Sequence, residues 1–135
     1  MFKNYFILII LAFAFFACNS KAKKTPITDV EVATAFIRNV LNNDFKQAEQ
    51  FLLKEDINTQ IFERIKIEYG HKDKATLEKN KQADIIVNNL SYATDSVCLF
   101  NYSNSYRRTD STILKALRTQ GKWLIDLKYT FSENL

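Results

Sequence analysis

The stretch that decides the fold is Asp110 to Thr130, DSTILKALRTQGKWLIDLKYT, because its two halves register against each other across Gln120-Gly121. With those two residues as a hairpin turn, Arg118 faces Trp123, Ala116 faces Ile125, Leu114 faces Leu127 and Thr112 faces Tyr129 on one side. The other side pairs Leu117 with Leu124, Thr119 with Lys122 and Lys115 with Asp126, and sets Asp126 toward solvent beside Lys115. Apolar alternation and opposite charges agree on this register, and a slip of one residue would bury Asp126 and Lys128 together. Working back toward the start, period-two patterning continues to about residue 84, giving strands at 84–92, 96–103, 110–119 and 122–130.

Before residue 82 the period is helical. Thr28-Asp29-Val30-Glu31 reads as a capping box, and Val30, Ala33, Ile37, Val40 and Leu41 follow on one face with Phe36 beside them. Asp44-Phe45-Lys46-Gln47 opens a short second helix that turns Phe45, Ala48, Phe51 and Leu52 to one side. A third helix over Asp56 to Tyr69 sets Ile57, Ile61, Ile65 and Tyr69 inward, with Gly70 as a left-handed stop. The polar run His71 to Lys81 reads as irregular, with a weak helical turn as the alternative. The expected fold class is therefore α+β: three N-terminal helices packed on a curved antiparallel four-stranded meander.

At the other end, MFKNYFILIILAFAFFACNS offers a basic start, an apolar run of secretory length and a small-residue step into Cys18. It resembles a bacterial lipoprotein signal. The resemblance implies cleavage before Cys18, giving 1–17 as signal peptide, 18–27 as lipidated tether and 28–135 as one domain. It also implies a membrane partner through acyl chains on Cys18, two or more of which anchor stably. Asn19 lacks the aspartate of inner-membrane retention, so the expected address is the outer membrane, facing the periplasm.

Charge excludes one class of partner. Nineteen Lys and Arg against fifteen Asp and Glu give +4, but the excess is Lys3 in the signal and Lys21, Lys23 and Lys24 in the tether. The domain itself is balanced and lacks the concentrated basic stripe of a nucleic-acid surface. Cys18 is spent on lipid, so Cys98, between Val97 and Leu99, reads as a small buried hydrophobe rather than a disulfide partner or an activated thiol. His71 stands alone, which leaves no metal set and no cofactor to assign.

The N-terminal amphipathic helix, the turn Asn42-Asn43-Asp44-Phe45 leading to Lys46-Gln47-Ala48, a third helix and a meander closing on Gly121-Lys122-Trp123-Leu124-Ile125-Asp126 resemble the small nuclear-transport-factor-2-like (cystatin-like) lipoproteins. Many of these carry only a domain-of-unknown-function label, the set numbered 4878 being the nearest. The resemblance spans roughly residues 27–130 and implies a cone-shaped fold with a pocket, but no single activity. Pocket candidates are Tyr92, Tyr102, Arg118 and Trp123. An isomerase or dehydratase of this fold would need a proton-shuttling carboxylate beside an oxyanion donor, for which Asp84, Asp126, Tyr92 and Tyr102 are the candidates. No residue is assigned as catalytic. The expected function is a binding module for a small apolar ligand or an envelope protein, with an enzyme of the same fold and an inhibitory, immunity or assembly lipoprotein as alternatives.

Overall fold

A computed structural model describes residues 25–131; the expected signal segment, Cys18 and tether residues 18–24 lie outside the described residues. Helix α1 (Asp29–Leu41) starts at the anticipated capping box. Thr28 Oγ1 accepts the Glu31 N–H at 3.2 Å, while Glu31 Oε2 accepts those of Thr28 at 3.1 Å and Ile27 at 3.0 Å. Its far end closes as a Schellman turn: Asn43, at φ 59°, donates to Val40, and Asp44 donates to Asn39. Asp44 then caps α2 (Phe45–Ala48) through the Gln47 N–H. A 3-10 turn, Glu49–Phe51, completes that segment.

The buried face of α1 carries Val32, Ala33, Phe36, Ile37 and Leu41. Val30, expected inward, is 36% exposed because it heads the Thr34–Arg38 row instead. In α3 (Asp56–Gly70) a similar shift occurs: Ile57 is 50% exposed, and Asn58 takes the inward position ahead of Ile61 and Phe62. Rings join the three helices, Phe62 lying 6.1 Å from Phe36 and 5.6 Å from Phe45, with Tyr69 5.4 Å from Phe45.

Gly70 is not a left-handed stop. It is the last helical residue of α3, and the chain leaves through right-handed His71, whose N–H donates to Glu68. The segment expected to be irregular is a fourth helix, α4 (Lys74–Gln82). Asp73 caps it, accepting the Thr76 N–H and hydroxyl at 2.8 Å each, contacts that hold the Asp73 carboxyl below its usual range. Without an apolar stripe α4 showed no periodic signal; it is held by its cap, the Glu78–Lys81 pair and Arg38, whose guanidinium donates to the carbonyls of Lys81 and Ala83.

Four antiparallel strands follow in the order β1-β2-β3-β4: β1 (Ile85–Thr94), β2 (Val97–Asn104), β3 (Arg107–Thr119) and β4 (Lys122–Asp126). The β3–β4 register is the one read from sequence, from Thr119–Lys122 through Arg118–Trp123, Leu117–Leu124 and Ala116–Ile125 to Lys115–Asp126. Gln120 at φ 49° and Gly121 at φ 76° make the turn, both left-handed as a type I′ hairpin requires.

The expected strand 122–130 ends early. Leu127 gives its N–H to Asn58 Oδ1, Lys128 gives its own to Asp126 Oδ1, and a short helix α5 (Lys128–Phe131) forms. Leu127 thus reaches the core without pairing with Leu114, and Tyr129 never faces Thr112. Asp126 does pair with Lys115, at 3.2 Å, but it is only 4% exposed rather than on the solvent face. On the sheet's inner face Cys98, Phe100, Leu114, Ala116 and Ile125 meet the buried faces of α1 and α3. Leu53 donates to the Ile125 carbonyl and so covers part of the free β4 edge.

Candidate functional site

Where α1 and α3 diverge from the ends of β2 and β3, they leave a cleft of about 770 Å³, within the range of small-molecule sites. Its apolar lining comes from Phe36, Ile37, Val40 and Leu41 of α1, Ile65 of α3, and Leu114 and Leu127. Polar groups enter from three sides: Tyr69 from α3, Tyr102 and Thr112 from opposite positions on the β2–β3 ladder, and Tyr129 and Thr130 from α5.

Burial, reinforced by the nearby Tyr69, pushes the Tyr102 phenol up to about 12, against the opposite effect of the Thr112 hydroxyl. Burial also raises Tyr69, with Arg107 acting in the other direction. Both phenols are therefore protonated near neutrality and carry donors. Charges gather at the lip: Arg107 and Asp110 stand 3.8 Å apart, both exposed, and Glu68 lines the same cleft.

The four residues singled out from sequence separate. Tyr102 lines this cleft. Trp123 lines a second groove of about 530 Å³, bounded by Thr25–Ile27, α1, Phe51 and the β3–β4 hairpin. Arg118 is exposed across the ladder from Trp123 and lines neither. Tyr92, 56% exposed on β1 opposite Cys98, lies against Asp29. Contact with the Asp29 carboxylate is the chief cause that lifts the Tyr92 phenol to about 12, although Asp29 Oδ2 is buried without a hydrogen-bond partner. Burial first, and Asp29 second, push the Cys98 thiol to about 12, so it stays a thiol.

Among the carboxylates weighed for proton transfer, Asp84 borders a shallower hollow beside Val30 and Arg38, and Asp126 is engaged by Lys115 and the Lys128 N–H. His71 is exposed at the end of α3. Among the described residues, no three His, Cys, Asp or Glu side chains stand together as a metal set, and no helix is long and apolar enough to cross a membrane.

Sequence reasoning set Tyr69 inward but missed Thr112, Arg107, Asp110 and Glu68 as its neighbours. Thr112 was within reach, since a β2–β3 register would have placed it opposite Tyr102. No family model, curated protein or solved structure matches the chain.

Proposed function

We propose that this chain is a lipid-anchored binding module on the periplasmic side of a bacterial outer membrane. Its ligand is a small molecule with an apolar body and a hydrogen-bond-accepting head, held in the cleft between α1, α3 and the sheet. The observation that carries the reading is the meeting of protonated Tyr102 and Tyr69 with Thr112 over an apolar floor. Two phenol donors, one of them hydrogen-bonded by the Thr112 hydroxyl, orient an acceptor at one end of such a cavity, while the floor removes the ligand's hydrocarbon from water at about 25 cal/mol per Å².

Helices followed by an open four-stranded meander support the cone of the nuclear-transport-factor-2-like lipoproteins, a fold whose resemblance implies a pocket. The isomerase or dehydratase alternative needs a carboxylate beside Tyr102 inside the cavity. Asp84 and Asp126 lend it no support, since Asp84 borders a separate hollow and Asp126 is engaged by Lys115.

Two measurements test the proposal. The chain released in mild detergent from the membranes that carry it should show, by native mass spectrometry, the mass of a diacylglyceryl-modified and acylated Cys18 together with a bound small molecule. A protein that takes up no fatty-acid label while being secreted normally overturns the anchor. One that carries no small molecule, and binds none when offered amphipathic compounds, overturns the binding module.

A further inference from the structure

We propose that the groove holding Trp123 rests on the membrane and takes an anionic phospholipid of the leaflet that anchors Cys18, headgroup at its rim and acyl chain along its floor. This rests on the anchoring proposed above and adds the face that meets the leaflet. Thr25, Pro26 and Ile27 form one wall of the groove, so the tether joins the domain there. Only six residues separate Cys18 from Thr25, and an extended chain covers at most about 3.6 Å per residue. The groove is thereby held within about 25 Å of the acylated cysteine. Three of the six are lysines, which an anionic leaflet draws toward itself.

The lining fits that occupant. Phe51, Trp123 and Leu124 supply apolar surface, and the ionisable side chains are Arg38 and Lys122, with no carboxylate among them. Arg38 donates to the carbonyls of Lys81 at 3.2 Å and Ala83 at 2.8 Å, both neutral partners. Glu31 and Asp84 border the adjoining hollow, and Glu31 is engaged by the Ile27 and Thr28 amides. A half-buried tryptophan next to an exposed hairpin lysine suits the headgroup level, where an amphipathic ring and a cation are both favoured.

Trp123 is the only tryptophan of the chain, so its fluorescence reports on this groove alone. The full lipidated protein would be reconstituted into phosphatidylglycerol vesicles whose acyl chains are brominated near the ester end, alongside unbrominated controls. Flotation with the vesicles is scored separately. The expected result is flotation in both, with loss of most of the Trp123 emission only over bromine. Lys122→Glu should restore a substantial part of that emission without changing flotation. Flotation with equal emission in the two vesicle types overturns the inference and leaves the anchor standing. A blue-shifted but unquenched emission also overturns it, since the groove would then hold something other than leaflet lipid. Failure to float overturns the anchor first, and this inference with it.

Discussion

The side-chain oxygen of Asn58, fully buried in α3, accepts the backbone N–H of Leu127 at 2.8 Å, and its amide donates to the Leu53 carbonyl at 3.2 Å. One side chain thereby joins three segments and fixes where β4 ends. In Asn58→Leu the Leu127 N–H loses its partner inside the core, at about 1–3 kcal/mol, while the Leu53 carbonyl keeps the Glu55 N–H at 2.9 Å. Urea unfolding should register a loss of about 1–3 kcal/mol. A loss under about 0.5 kcal/mol, the usual size of a surface change, would mean that water or a neighbour replaces Asn58.

Lys115 and Asp126 should behave as a partly buried pair. Asp126 is 4% exposed, and its Oδ2 takes the ammonium at 3.2 Å. Lys115→Met removes that cation and leaves the carboxylate with the Lys128 N–H and a more distant Lys128 Nζ at 4.0 Å. The expected cost is about 1–3 kcal/mol, above that of an exposed pair. The double change Lys115→Met, Asp126→Leu should recover a large part of it. A single-variant loss of only a few tenths of a kcal/mol would show Asp126 to be solvated.

What the sequence made legible follows from where independent signals met. The last hairpin carried three of them, the Gln-Gly turn, apolar alternation and the Lys115–Asp126 pair, and its register is the one observed. The capping box of α1 was equally readable. The end of β4 was not, because it is set by Asn58, a residue 69 positions away that looks like any polar side chain in a helix. Helix α4 carried no stripe, only an Asp73-x-x-Thr76 cap, and a cap without periodicity was insufficient. The cleft was partly legible through Tyr69 and Tyr102. Its lip depends on where β3 begins, and the start at Arg107, three residues before the expected 110, brings Arg107 and Asp110 to the mouth.

Alkaline pH should weaken the fold in two steps. Burial raises Cys98 from 9.0 and Tyr102 from 10.0, both to about 12. Between those limits the unfolded chain releases protons that the folded chain retains, so the unfolded state binds fewer and stability falls as pH rises. The decline should begin near pH 9 and steepen near 10. In Cys98→Ala the first step should vanish, whatever the offset in overall stability. The native thiol should also stay unreactive toward iodoacetamide at pH 8 and react on unfolding. Prompt labelling of the folded protein would show the thiol to be exposed.

The binding cleft can be closed without opening the core. Val40 is half-buried on the cleft side of α1, so Val40→Trp fills free volume and should cost well below the roughly 1–3 kcal/mol of overpacking a dense interior. It should abolish retention of the co-purifying small molecule seen by native mass spectrometry. Tyr102→Phe removes one donor, and the affinity for that molecule should drop about five- to tenfold, the equivalent of one ordinary hydrogen bond. Undiminished binding in both variants would place the ligand elsewhere.

The β3–β4 turn leaves room for improvement. Gln120 sits at φ 49° and Gly121 at φ 76°, and of the two only glycine occupies that region without steric cost. A side chain with Cβ is strained there, less so for asparagine, whose short amide suits left-handed backbone. Gln120→Asn gives the Asn-Gly pair favoured in type I′ turns and alters an exposed position that lines neither the cleft nor the Trp123 groove. It should raise stability by about 0.5–1 kcal/mol, the scale of relieving a backbone misfit. Gly121→Ala should lower it by at least as much: its Cβ would meet nothing within 4 Å, so the penalty is purely one of backbone conformation. Chemical denaturation of the two variants gives the comparison. Equal stabilities for Gly121→Ala and the parent would mean that the turn is not type I′, and the register that rests on it would have to be set by the strand side chains alone.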